Sequence, residues 1–269
     1  MSANSSDLPR PEHPLRHRAG PQVIPEPPGH RLGGPAPWAH LSAEDRSSIS
    51  LDRVVDAVAG RDRSADAAAA AEQVEEFSRS FGGTSVSSTP AAVLVACFEE
   101  DGEARVVLTV RSGHLRAHRG EVAFPGGKLD PGEGIDEGAL REAHEEVGMS
   151  PQGVEIIGHL TSMPTVSSNT LMTPVVAILP GRPWTSPAPD EVARVFDVAL
   201  ADLAADDVFV EELWAVPGRI GADGQPGGEF PVWFFQGNDE VIWGATARVL
   251  SELLCAVLGI PVPFARRGR

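Results

Sequence analysis

Apolar and polar positions divide the chain into stretches of different period. From Leu41, "LSAEDRSSISLDRVVDAVAG" sets apolar residues at helical spacing behind a capping Ser42, and this predicts a helix. "SADAAAAAEQVEEFSRSFGG" is alanine-rich and stops in glycines, which predicts a second helix. Near Pro90 the pattern turns strand-like. "AAVLVACF" and "ARVVLTVRS" flank "EEDGE", a hairpin signal. A glycine-rich loop and an acidic helix come next. The strand candidates after them are "VEIIGHLTSM", "TPVVAILP", "ELWAV", "EFPVWFFQG" and "EVIWG". "DEVARVFDVALADL" combines a strand with a short helix, and "ATARVLSELLCAVLG" reads as a closing helix. Strands and helices alternate without a regular βαβ rhythm or an internal repeat. The economical architecture is a mixed sheet with helices on both faces.

Residues 1 to about 40 carry no period and are rich in proline, densest at "PEPPGHRLGGPAPW". They are expected to be disordered or loosely draped over the domain. The chain of 269 residues has a formal net charge of −16, which argues against non-specific nucleic-acid binding. Its two cysteines, Cys97 and Cys255, each sit in an apolar run and read as buried thiols. Neither a disulfide framework nor a cysteine zinc site is predicted. No stretch reaches the roughly 18 apolar residues of a membrane span, and the N-terminus lacks the apolar core of a signal peptide. These features predict a soluble cytoplasmic protein with no membrane partner.

The acidic helix spans Asp136 to Val147, with Gly148 as its stop. Glu142, Glu145 and Glu146 stand at i, i+3 and i+4, within an arc of about 100°. They share one face, while Ala139, Leu140, Ala143 and Val147 lie largely opposite and can pack inward. Like charges at this spacing weaken a helix slightly, and a solvated acidic face is their ordinary explanation. A divalent cation reverses the sign of that cost. Three carboxylates aimed at one point make a hard-oxygen site suited to Mg²⁺ or Mn²⁺. Upstream, Gly126, Gly127, Gly132 and Gly134 permit tight turns and close backbone approach. Glu133 is a fourth carboxylate, placed where Arg141 could orient it.

These residues carry a resemblance. Gly127, five residues, Glu133, seven residues, then Arg141-Glu142-Ala143-His144-Glu145-Glu146-Val147-Gly148-Met149 resembles the Nudix box, with every fixed position filled. The resemblance implies an α/β class protein with the Nudix fold. That fold is an α/β/α sandwich with a mixed β-sheet, in which the box forms a loop–helix–loop. It also implies Mg²⁺- or Mn²⁺-dependent hydrolysis of a diphosphate joined to another group. Glu142 and Glu146 match the principal metal ligands, with Glu145 and Gly127 beside them. Glu133 and Arg141 match a supporting pair, and Glu145 is a candidate proton acceptor within the box. Glu191, Glu211, Glu212, Asp239 and Glu240 could approach from later loops. On this reading the chain divides into a proline-rich tail over 1–40, a helical segment over 41–82 and a Nudix domain over 83–263.

The segment before the box reverses the sign of the chain. Arg111, Arg116, Arg119 and Lys128, with His114 and His118, face a single acid, Glu121. Such a run could hold a polyanion through arginine forks, or it could be a harmless basic loop. Leu108-Thr109-x-Arg111-Ser112, three residues, Arg116, three residues, Gly120, three residues, Phe124-Pro125-Gly126-Gly127 is similar to the second signature of the coenzyme A pyrophosphatase branch of that family. "TPVVAILP", "DEVARVFDVAL" and "IWGATARVL" are also similar, so the resemblance covers roughly residues 90 to 260. It implies cleavage of coenzyme A, or its oxidised or acyl forms, to 4′-phosphopantetheine and adenosine 3′,5′-bisphosphate. Arg111, Arg116 and Arg119 are then expected to meet phosphates, with Gly120 shaping the loop. Phe124 is expected in the core. The expected partner is a small molecule, with a homodimer left open. Two other readings keep the box. One is hydrolysis of ADP-ribose or a dinucleotide polyphosphate, and the other is a ligand sensor without turnover.

Overall fold

The computed structural model describes residues 22–61, 74–75, 89–115, 117–165, 170–215, 228–237 and 240–262. In chain order the elements are β1 (Arg31–Leu32), α1 (Ala43–Ser47), α2 (Leu51–Ala59), β2 (Thr89–Glu100), β3 (Glu103–Arg111), β4 (Val122–Ala123), β5 (Gly126–Lys128), α3 (Ile135–Val147), β6 (Glu155–His159), β7 (Met163–Thr165) and β8 (Thr170–Ile178). There follow β9 (Val192–Ala199), α4 (Leu200–Leu203), β10 (Phe209–Ala215), β11 (Glu229–Gly237), β12 (Glu240–Trp243) and α5 (Gly244–Val257).

β2 is apolar on both faces because it lies in the middle of three layers. Ala92, Leu94, Ala96 and Phe98 pack with Ala139, Ala143 and Val147 of α3. Val95 and Cys97 face the opposite way, into a core shared with α2, α5 and the second sheet. The main sheet runs β4-β3-β2-β8-β6, with β5 on β2, β7 on β8 and β9 on β3. β2 and β8 are parallel, and the other pairs of this sheet are antiparallel. A second sheet runs β1-β10-β11-β12. The architecture is the mixed α/β sandwich expected from the alternating pattern. The expected hairpin is present: Asp101 and Gly102 both adopt positive φ, 54° and 81°, between the paired Glu100 and Glu103.

Three expectations need adjustment. The helix read from Ser42 onward is two helices, α1 capped by Ser42 and α2 by Ser50. Between them Ile49 is fully buried, and its carbonyl accepts from Ala104 N–H at 2.7 Å. That sheet-like contact interrupts the helix. "VEIIGHLTSM" is likewise two strands, β6 and β7, with a register shift between Ile156 and Gly158. The proline-rich stretch expected to be disordered differs in its second half. β1 pairs with β10, and Trp38 is fully buried, stacked on Phe235 at 6.0 Å and edge-on to Phe209 at 5.4 Å. An indole offers enough apolar area to hold such a stretch down despite its composition. The helical segment also shares the main core, through Ile49, Val54 and Val58. The second predicted helix lies almost wholly outside the described residues, as do residues 1–21.

Cys97 and Cys255 are both free and buried, as expected, and burial pushes each thiol up to about 12. Among the described residues no helix is long and apolar enough to cross a membrane.

Candidate active site

The site is built where β5, α3 and the end of β3 meet. β5 runs beside β2, with Gly127 opposite Ala92. α3 starts after Gly134, whose N–H donates to Glu137 at 3.1 Å, and ends at Gly148. Its apolar residues face β2, so its acidic face turns toward β5 and the loop before it. Glu146 is the buried end of that face, at 4% exposure. Its carboxylate accepts from Gly126 N–H at 3.1 Å, and Arg111 Nη1 stands 3.7 Å from its other oxygen.

Glu142 packs so closely against Gly127 that a side chain there would push its carboxylate aside. A Cβ on Gly127 would lie 2.5 Å from the Glu142 carboxyl carbon and 2.6 Å from both its oxygens. Glycine here lets the Glu142 carboxylate hold its position, and no unusual backbone angle is involved.

Arg141 organises the remaining acids. Its Nε and Nη2 donate to the two oxygens of Glu133 at 2.7 and 2.9 Å. Its Nη1 donates to Glu142 and to Glu145, each at 3.0 Å, and Nη2 also reaches the Lys128 carbonyl at 3.1 Å. Asp130 N–H adds a bond to Glu133 at 2.9 Å. The Arg141 fork and that backbone donor hold the Glu133 carboxyl down at about 2.

The two inner carboxylates, Glu146 and Glu142, both shift the opposite way from Glu133. Burial pushes Glu146 up to about 7, against the Gly126 N–H and Arg111, and the charges of Glu142 and Glu191 add to the rise. Burial also raises Glu142, against its bond to Arg141. Glu191 is therefore the later acid that acts on the box. It is held there because Ser112 N–H donates to its carbonyl at 2.8 Å and Ala188 N–H donates to the Glu146 carbonyl at 2.8 Å. Glu211, Glu212 and Glu240 are engaged elsewhere, by Trp233, Trp214 and Arg194. Asp239 lies outside the described residues.

The carboxylates do not converge as the helix spacing alone suggests. Among the described residues no group of three or more His, Cys, Asp or Glu side chains stands ready to hold a metal ion. Arg141 has drawn Glu142 and Glu145 to itself, and the Glu145 side chain is 58% exposed. The donor set still fits a hard divalent cation. It offers carboxylate oxygens only, with two of the acids raised by burial and mutual repulsion, a charge excess that a cation would relieve.

The NUDIX domain family model matches residues 88–213. NudL of Salmonella paratyphi B, described as an uncharacterized Nudix hydrolase, is 38% identical over 151 residues, covering 55% of this chain and 72% of that protein. The chain belongs to the Nudix hydrolase family. Nudix hydrolase 3 of Caenorhabditis elegans is 43% identical over 115 residues, 42% of this chain and 48% of that one. Nudix hydrolase 22, chloroplastic, of Arabidopsis thaliana is 37% identical over 185 residues, 65% and 57%. This Nudix chain thus spans about half the length of those last two relatives.

The basic segment of this Nudix protein is a loop closed at its base. Arg111 N–H donates to the Glu121 carbonyl at 2.9 Å, and Gly120 N–H to the Arg111 carbonyl at 3.1 Å. Gly120 is buried at φ 69°, so it shapes the turn. Arg111 points at the box, and its buried Nε has no hydrogen-bond partner among the described residues. Arg119 is exposed. His118 is tied to Glu121 at 2.9 Å, and that bond raises its pKa. Arg116 lies outside the described residues. Phe124 is 3% exposed in the core, as expected.

Proposed function

We propose that this protein hydrolyses the diphosphate of coenzyme A or its derivatives, with Mg²⁺ or Mn²⁺, to 4′-phosphopantetheine and adenosine 3′,5′-bisphosphate. The observation that carries this reading is the approach of Arg111 to Glu146, 3.7 Å, which joins the basic loop to the acidic box. A phosphate chain lying across that junction has carboxylates on one side and guanidinium groups on the other.

Glu142, Glu146 and Glu145 would hold the cation, with the Gly127 backbone beside them. A bound divalent cation supplies charge neutralisation for the diphosphate and acidifies water at the site. Glu133 keeps Arg141 in place, and Arg141 orients Glu142 and Glu145. A carboxylate must take a proton from the attacking water, and Glu145 and Glu191 are the candidates for it. Arg111 meets the diphosphate with its unpartnered Nε. Arg119 would meet the additional phosphate on the ribose, and Arg116 is expected to meet phosphate as well.

That extra phosphate gives the test. Arg119→Ala is expected to lower kcat/KM for coenzyme A about tenfold, and to leave 3′-dephospho-coenzyme A nearly unchanged, since one charge-assisted contact is lost. Equal losses on both substrates would separate Arg119 from the 3′-phosphate.

A further inference from the structure

One buried charge lies outside the box and takes no part in the chemistry above. Glu252, on α5, is fully buried. A single oxygen of its carboxylate accepts from Arg61 Nη2 at 2.7 Å, Thr161 N–H at 2.9 Å and Thr161 Oγ1 at 2.7 Å. Its other oxygen has no hydrogen-bond partner among the described residues. Arg61 follows α2, and its side chain is 14% exposed. Arg61 Nη2 also reaches Thr161 Oγ1 at 3.3 Å.

An apolar pair of the same shape would often serve stability as well, because desolvating two ions offsets their attraction. The geometry of this pair is directed at one place. Among the described residues the hydrogen bonds to Glu252 come from Arg61 and Thr161, and Thr161 lies in the connector between β6 and β7. The next residue, Ser162, shares a hydrogen bond with Thr173 Oγ1 at 2.8 Å. Thr173 pairs with Ala92, and Ala92 pairs with Gly127. The connector, one strand beyond β8, therefore sits three strand spacings from the box glycine, about 14 Å across the sheet.

We propose that Arg61 and Glu252 are positioning residues: the buried pair fixes the Thr161–Ser162 connector as a wall of the substrate cleft, where it contacts the non-reacting arm of the diphosphate substrate. This rests on the diphosphate hydrolase reading above. It also gives Arg61, which lies outside the box, a part in substrate binding.

The test uses the full chain with Mg²⁺ and coenzyme A, together with hydrogen exchange read peptide by peptide. Glu252→Gln keeps the shape and removes the charge. It is expected to raise KM about tenfold with kcat within about twofold, because a contact made equally in ground and transition states is lost. Exchange should rise in the peptide over residues 159–165 and stay unchanged over α3. Arg61→Lys, which keeps a cation, should lie between wild type and Glu252→Gln, and it replaces that variant if Glu252→Gln does not fold. Unchanged KM with unchanged exchange over 159–165 would overturn the proposal. So would a lower kcat at constant KM with exchange rising everywhere, the mark of general destabilisation. If the wild type cleaves no diphosphate, the functional reading falls by itself. The exchange data then decide whether the pair holds the connector.

Discussion

Replacing Glu146 by Gln is expected to cut turnover about a thousandfold, the scale of losing a central charge-stabilising group. The same change should leave the metal-free protein at least as stable at pH 8. The two effects have one cause. Burial raises the Glu146 carboxyl to about 7 in the folded chain, above its ordinary value of 4.5. A carboxyl with a raised folded pKa favours folding when protonated. Its penalty therefore grows as pH rises from about 4.5 through about 7, and reaches on the order of 3 kcal/mol above that window. Gln carries no charge and escapes the penalty. Thermal melts of both proteins in EDTA across pH 5 to 8 check the sign, and the gap should widen in favour of the variant as pH rises. A variant that is both inactive and less stable at pH 8 would make Glu146 a structural residue.

Gly127→Ala is expected to lose about a hundredfold in kcat/KM, the cost of displacing a catalytic group by about an ångström. The new Cβ would lie 2.5 Å from the Glu142 carboxyl carbon. Glu142 must swing aside, which its 17% side-chain exposure allows, so the melting temperature should change little. Gly126→Ala makes the contrast. There the new Cβ would strike the Ala92 carbonyl and the Val93 backbone, and Gly126 has φ 155°. That variant should lose stability first. Circular dichroism melts beside steady-state rates separate the two substitutions.

The box was legible because a helix turns a spacing into a face. Glu142, Glu145 and Glu146 needed only the 3.6-residue period to be placed together, and Gly127 only a fixed distance from them. The central strand was legible for a similar reason, since a run apolar at every position must be covered on both sides. What spacing could not show was competition. Arg141 has Glu133, Glu142 and Glu145 within reach and binds all three. Their side-chain positions follow from that choice, not from the helix. Long-range partners were equally hidden. Glu191 reaches the box through the pairing of β3 with β9, and its sequence neighbourhood gives no sign of it. Arg61 and Glu252 are 191 residues apart. Trp38 sat in a stretch whose composition argued for disorder, and one buried indole outweighed that average.

On the proposed reading, the acidic box and the basic loop together cleave the diphosphate of coenzyme A. The most direct measurement is competition in one vessel, with coenzyme A, acetyl-coenzyme A, ADP-ribose and a diadenosine polyphosphate at equal low concentration, Mg²⁺ present or chelated, and products followed by mass. Adenosine 3′,5′-bisphosphate should appear first and fastest, and only with the metal. Faster release of products from ADP-ribose or the dinucleotide would contradict the coenzyme A assignment, and product formation undiminished by chelation would contradict the metal role of the box.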